Sequence, residues 1–284
     1  MRSVKYLLAA GAAALMSSAA LAADLPLAPP PAYMPPPPPD FGGWYLRGDI
    51  GFSNQRVKNI AMADGRNNTL LSLRETTAFD AAGIYGVGVG YAFNNWLRAD
   101  VTGQDRGKAN FKGTDILTYP AGGGVIGAGV NNYGASKAEW LVLANAYVDL
   151  GTWWNITPFI GAGIGASRIT ISNYTDNGQT IENGITSVSA AYADAASKWN
   201  LAWAVHAGLA YQVSPNFTIE LAYSYVNLGK GTTGPVFDYT GLTRNVPMEF
   251  HRITSHDVKL GVRWALDPMP AYLPPPMPPL VTKG

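Results

Sequence analysis

Residues 84–103 read IYGVGVGYAFNNWLRADVTG, two alternating runs joined by the short connection AFNN. In the first run Tyr85, Val87, Val89 and Tyr91 stand opposite Gly86, Gly88 and Gly90. In the second, Leu97, Ala99 and Val101 stand opposite Arg98, Asp100 and Thr102. A period of two places successive side chains on opposite faces of a sheet. The short polar link folds such a pair into an antiparallel hairpin. One face is then continuously apolar, while the other carries glycine in one strand and paired charges in its neighbour.

Working outward, six further segments alternate in the same way: 44–52, 140–150, 158–166, 200–211, 217–225 and 257–266. Eight strands are therefore expected. Their connections obey a rhythm. AFNN, GTWWNIT and QVSPN are short, whereas the intervals 53–83, 104–138, 167–198 and 227–255 are long. Structureless connections beyond about 12–15 residues are uncommon in compact soluble domains. Short turns at one end and long connections at the other are what an outer-membrane barrel requires, with its periplasmic turns and extracellular loops.

The faces support that reading. Trp44, Tyr91, Trp96, Trp140, Tyr211, Phe217, Tyr225 and Trp264 lie near the strand ends on the apolar side. Amphipathic aromatic rings suit the two headgroup levels of a bilayer. Lipid offers no partner to a free sheet edge, so the sheet must close. The expected fold is all-β: an eight-stranded antiparallel transmembrane barrel with four long extracellular loops. Its inward set is Arg47, Asp49, Arg98, Asp100, Asp149, His206, Glu220, Asp257, Lys259 and Arg263. Eight strands enclose a space that side chains just fill. Near-balanced charge inside it predicts a network of salt bridges that plugs the barrel, because buried charges need partners.

Composition agrees. Charged residues are 14% of the 284, against roughly 25% in ordinary soluble proteins. The formal net charge of +1 provides no basic field for nucleic acid. The absence of cysteine excludes thiolate metal sites, disulfides and thiol catalysis. Arg2 and Lys5 precede an apolar run from Leu7 to Met16 and a small-residue site at Ala20-Leu21-Ala22, the pattern of a secretory signal peptide over residues 1–22. Proline-rich segments follow at 23–40 and close the chain at 267–284, leaving 41–266 as the barrel. Proline fixes φ and lacks a donor, so both segments are expected to be extended spacers.

The motifs ALAADLP (20–26), FGGWYLRGDIGF (41–52), WLRADVTGQDRG (96–107) and HDVKLGVRW (256–264) resemble the small outer-membrane proteins of alphaproteobacteria. This is the Omp25/Omp31-like "porin family" group, similar in fold to the OmpA barrel and the opacity proteins. The resemblance implies an abundant surface protein placed among outer-membrane lipids and lipopolysaccharide. Periplasmic chaperones and the barrel-assembly machinery would serve it during biogenesis. It also implies roles in envelope integrity and host contact, with haem binding in some members. Two features depart from the pattern. The last strand, GVRWAL (261–266), is followed by eighteen further residues rather than ending on a terminal aromatic, and no peptidoglycan-binding domain follows.

Catalytic, cofactor and metal sites are not expected. Among three histidines, His206 could be drawn as an acid–base pair with Glu220, but both belong more naturally to the lumen network. Ser255-His256-Asp257 is contiguous, so alternation throws its middle member to the opposite face. His251, near Tyr239 and Met248, is the candidate axial ligand for haem at the loops. AGGGVIGAGV (121–130) lacks the lysine of a phosphate loop and reads as flexible loop or strand extension; YTDNGQTIENG (174–184) reads as exposed loop. Three functions follow. They are a structural barrel with adhesive surface loops, a narrow porin-like path for small solutes, and haem or host-ligand binding at the loops.

Overall fold

The computed structural model describes residues 42–65, 69–241 and 244–266. The signal-peptide, N-terminal proline-rich and C-terminal proline-rich assignments lie outside the described residues. Eleven strands form one sheet: β1 (Gly43–Arg56), β2 (Asn59–Met62), β3 (Ser72–Phe79), β4 (Ala82–Ala92), β5 (Leu97–Gly122), β6 (Val125–Asp149), β7 (Ile156–Glu182), β8 (Ile185–Ala193), β9 (Ala196–Ser214), β10 (Phe217–Asp238) and β11 (Arg244–Ala265).

Eight of them close a ring. β1 pairs with β4, then β4 with β5, β5 with β6, β6 with β7, β7 with β9, β9 with β10 and β10 with β11, all antiparallel. The last strand returns to the first, in register from Tyr45↔Ala265 to Arg56↔Thr254. Each of the eight alternating segments faces as its pattern predicts. Outward residues such as Phe52, Val87 and Leu201 are more than 70% exposed, while their strand neighbours Ser53, Gly86 and Ala202 are buried. The exposed apolar wall is the lipid-facing surface.

The three short turns have local causes. At the β4–β5 turn, the Asn94 side-chain oxygen accepts the N–H groups of Trp96 and Leu97, at 3.0 and 2.7 Å. Such an Asx turn gives the chain a reversal without a second strand. At the β6–β7 turn, Trp153 and Ile156 exchange two backbone hydrogen bonds of 2.9 Å around Trp154 and Asn155, both left-handed at φ 52° and 65°. That is the two-residue turn whose twist matches the strands it joins. At the β9–β10 turn, Asn216 donates to the carbonyl of Ala265 at 3.0 Å, tying the turn to the end of the last strand.

The four long connections differ from expectation. They are not loops for most of their length but continuations of the sheet. β5, β6 and β7 run for 26, 25 and 27 residues, roughly twice the lipid-facing segments. β3 adds to β5, β8 to β7 and β10, and β2 to β11. The reason is the composition of the inner face. Beyond the lipid belt the outward residues become polar, so the apolar alternation fades, but inward residues such as Phe111, Ile169 and Phe250 remain apolar and buried. A strand in water needs only one apolar face. Tight turns cap these extensions. Gly122, Gly123 and Gly124 all have positive φ at the β5–β6 tip, and Asn183-Gly184, at φ 50° and 77°, closes β7 to β8. Residues 121–130 and 174–184 are therefore hairpin.

Candidate functional site: the filled lumen

All ten residues of the expected inward set face the lumen, and the structure adds Arg106, Lys137 and Glu139. With these additions the membrane-level interior, among the described residues, holds six cations (Arg47, Arg98, Arg106, Lys137, Lys259, Arg263) and six carboxylates (Asp49, Asp100, Glu139, Asp149, Glu220, Asp257). Within this set the charges cancel. They divide into two clusters.

In the periplasmic cluster, Arg47 donates to Asp49 and to Asp100, each at 2.8 Å. Glu220 lies within 3.4 Å of both Arg47 and Arg98 and 3.2 Å from Arg263. Arg98 also donates to Asp149 at 3.2 Å, and its guanidinium stacks on Tyr147 and Phe159, 4.3 and 4.8 Å from the ring centroids. Such stacking satisfies the weakly hydrated face of the guanidinium while its edge is held by carboxylates.

In the outer cluster, Arg106 grips Asp257 through both terminal nitrogens, at 2.6 and 2.8 Å, and donates to Ser255 at 2.7 Å. Its Nε meets Glu139, which also pairs with Lys137 and accepts from Gln55 at 3.0 Å. The two-pronged geometry is the strong form of the charge-assisted bond. Lys259 is buried within attraction of Asp49 and Asp257, between the clusters.

Asn145 and His206 join them. Asn145 Nδ2 donates to Asp100 at 2.8 Å, which leaves its Oδ1 to accept from His206 Nε2 at 3.1 Å. The other imidazole nitrogen, Nδ1, then accepts from the Ser224 hydroxyl at 2.8 Å. The His206–Glu220 pairing is not formed: Glu220 is held by three arginines and His206 by two neutral groups. Ser255 and Asp257 point inward while His256 points outward and bonds Tyr223 at 2.6 Å, as the alternation requires.

Glycines make room for these side chains. A Cβ on Gly90 would collide with the Tyr45 ring, one on Gly161 with Tyr147, and one on Gly163 with the Asn145 carboxamide. Gly163→Ala is expected to displace Asn145 from Asp100 and His206 and to cost about 1–3 kcal/mol, as overpacking does. The temperature at which the heat-modifiable gel shift is lost measures it; an unchanged transition would show that the network has slack.

Outside the charged clusters the lumen is closed by an apolar plug. Phe111 packs edge-on against Phe250 at 5.0 Å and tilted against Phe79 at 5.1 Å, with Ile169, Ile171, Leu228 and Ile253 in the same buried cluster. The sequence reading missed both the plug and the outer cations. A signal existed: Arg106 continues the inward row of Arg98, Asp100, Thr102 and Gln104, and Glu139 and Lys137 continue that of Tyr147, Asn145, Leu143 and Leu141. Ending those strands at Gly103 and Trp140 cut the rows short.

Toward the external mouth, carboxylates gather. Glu75 and Asp115 are direct cross-strand partners, and Tyr133, which donates to Asp115 at 2.6 Å, is the partner of Asp176. Burial first and the Asp115 charge second push the Asp176 carboxyl up from 3.8 to about 7. Glu75 is shifted upward by the same two causes, and the Tyr133 and Tyr174 hydroxyls that face this group are raised too. A carboxyl with a raised folded-state value binds its proton more tightly when folded. Its stabilisation is therefore complete below about pH 4 and disappears as pH rises through 7. Protease resistance of the external hairpins is expected to fall between about pH 4 and 7, and Asp176→Asn to flatten that slope. An identical slope in the variant would refute the assignment.

His251, the candidate haem ligand, lies on β11 opposite Asn59 and pairs with Glu249 at 3.2 Å. Met248 is buried in the plug, and Tyr239 stands exposed at the β10–β11 turn. The three do not share one surface.

A closed ring of eight strands with an apolar wall, aromatic ends and a filled interior defines the class of small outer-membrane β-barrels. The chain matches the outer membrane protein beta-barrel domain family over residues 8–264 and belongs to that family, which places it in the Gram-negative outer membrane. It is 35% identical over 202 residues to an uncharacterized protein of Brucella abortus, covering 66% of this chain and 69% of the relative. It is 32% identical over 223 residues to a Rickettsia bellii protein that carries the name of an adhesin, covering 78% and 87%. Outer membrane protein PagN of Salmonella typhimurium is 26% identical over 230 residues, covering 78% and 90%.

Proposed function

We propose that the protein is a non-conducting structural barrel that stabilises the envelope and presents its external hairpins for surface contact. One observation carries this reading: the lumen is occupied along its length, by charge-balanced clusters and then by the apolar plug. A conducting path would have to part Arg47, Arg98 and Arg263 from Glu220 and also open the Phe111–Phe250 contact. A selective pore lines its wall with one sign of charge; here the signs cancel. Catalysis is not part of the proposal, because the lumen histidine is enclosed by structural partners. Relatives named for adhesion favour the external hairpins, rather than the lumen, as the working surface.

Planar-bilayer recording tests the non-conducting part. The barrel is expected to give no steady openings. Steady openings altered by exchanging Arg98 or Glu220 would instead establish the narrow porin-like path. Attachment of cells carrying the barrel to host cells tests the second part, with a strain expressing the barrel shortened at its β7–β8 hairpin as the control. Equal attachment by both would remove the external hairpins from the function.

A further inference from the structure

A groove of about 690 Å³ opens on the outer face of the external extension, where β6, β7 and β8 lie side by side and the β10–β11 turn folds against them. Its floor is set by register. Asn132 is the cross-strand partner of Asn177, and Gln179 that of Val188, so three amides share one side of the sheet. Its rim is the turn Asp238–Gly241, closed by a backbone hydrogen bond of 3.0 Å and by Thr240 donating to Asp238 at 2.8 Å. That turn presents Tyr239 with 83% of its surface exposed.

The chemistry of this groove is selective. An amide offers two donors and an acceptor in one plane, which matches the paired donor–acceptor character of vicinal hydroxyls. Thr114 donates to the Asn132 oxygen at 2.9 Å, so the Asn132 NH2 edge is turned free in a fixed orientation. Asn177 and Gln179 make no side-chain hydrogen bond among the described residues. An exposed tyrosine beside them provides a flat apolar face with a polar tip, suited to the C–H face of a pyranose ring. Among the described residues no cation lines the groove and its one charged side chain is the Asp238 carboxylate, which favours a neutral ligand over sulfated, phosphorylated and nucleic-acid ones. The volume fits one or two sugar rings, within the range of small-molecule sites.

We propose that this groove binds an uncharged saccharide, with Tyr239 stacking on a sugar ring and Asn132, Asn177 and Gln179 bonding its hydroxyls. The proposal rests on the surface-contact reading above and names the ligand chemistry of that surface. Such a sugar could come from a host glycan or from the bacterium's own surface polysaccharide.

The test is saturation-transfer NMR on the full-length barrel in detergent, with lactose, N-acetylglucosamine and methyl mannoside as neutral probes and heparin fragments as the anionic comparison. Saturable binding of a neutral probe, weakened at least tenfold by both Tyr239→Ala and Asn177→Ala, is expected. Both positions are exposed, and an unchanged heat-modifiable shift would establish that the variants fold. Binding of heparin alone, binding indifferent to both substitutions, or no saturable signal would overturn the proposal. Arrays of host glycans and of purified bacterial polysaccharide separate the two sources. Host-cell attachment is measured on the same variants. Persistent attachment without sugar binding would sink the saccharide groove and leave the contact reading standing, whereas attachment unchanged by hairpin shortening, with sugar binding retained by the intact barrel, would do the reverse.

Discussion

Arg106→Ala is expected to destabilise the barrel by about 3–5 kcal/mol, because it strips a buried pair of carboxylates of their cation. Asp257 loses a two-pronged partner and Glu139 keeps Lys137 as its one cation beside the Gln55 amide, in a region where Arg106, Glu139 and Asp257 are all fully buried. The loss is electrostatic rather than steric, and a second variant separates the causes. Arg106→Met with Asp257→Asn removes one charge of each sign and leaves the Lys137–Glu139 pair intact. Replacing a buried ion pair by groups of similar volume is often neutral or stabilising, so this double variant is expected to regain most of what Arg106→Ala loses. Urea or thermal unfolding in lipid vesicles, followed by the gel shift, gives the comparison. A double variant as unstable as Arg106→Ala would mean that shape, not charge balance, holds the outer cluster.

Phe250→Ala carries the second large effect, about 3–5 kcal/mol for a fully buried aromatic residue, and its location matters as much as its size. Phe250 contacts Phe111 and lies on the stretch of β11 that pairs with β2, outside the lipid belt. The damage should concentrate in the external extension, because stability is distributed in local cooperative units. Amide exchange is expected to accelerate in β2 and in the outer parts of β5 and β11, while residues such as Val87, Val101 and Val262 in the belt keep their protection. Phe250→Leu should cost much less. Uniform acceleration along whole strands would show that belt and extension unfold as one unit, and that the plug is not a separate element.

These two predictions fall where the chain was least legible. Between Leu97 and Gly103 the outward residues are apolar and the inward residues charged, so the period of two is visible in the letters. Past Arg106 the strand slips by a bulge between Arg106 and Ala109, and inward positions change from even to odd numbers. Asn173, at φ 52°, marks a comparable slip near the outer end of β7. An extra residue in one strand exchanges the two faces of everything beyond it. The plug residues Phe111 and Tyr174 lie beyond such slips, which is why simple alternation does not find them, whereas Tyr133, on the unslipped β6, keeps the odd-numbered inward row of Lys137 and Glu139.

The sequence alone determined the class of fold, the number of membrane-spanning strands, the lipid-facing wall and ten of the inward polar groups. Those depend on which face a residue takes, a local property of the extended backbone. Tertiary structure alone decided which charge meets which. Arg106 and Asp257 are 151 residues apart, and Arg47 and Asp100 are 53 apart. They meet because the shear of a closed ring brings non-adjacent strands together across the lumen. Ring closure also completed the charge balance and sealed the external mouth, since both draw on residues from strands whose inward faces meet only when β11 returns to β1.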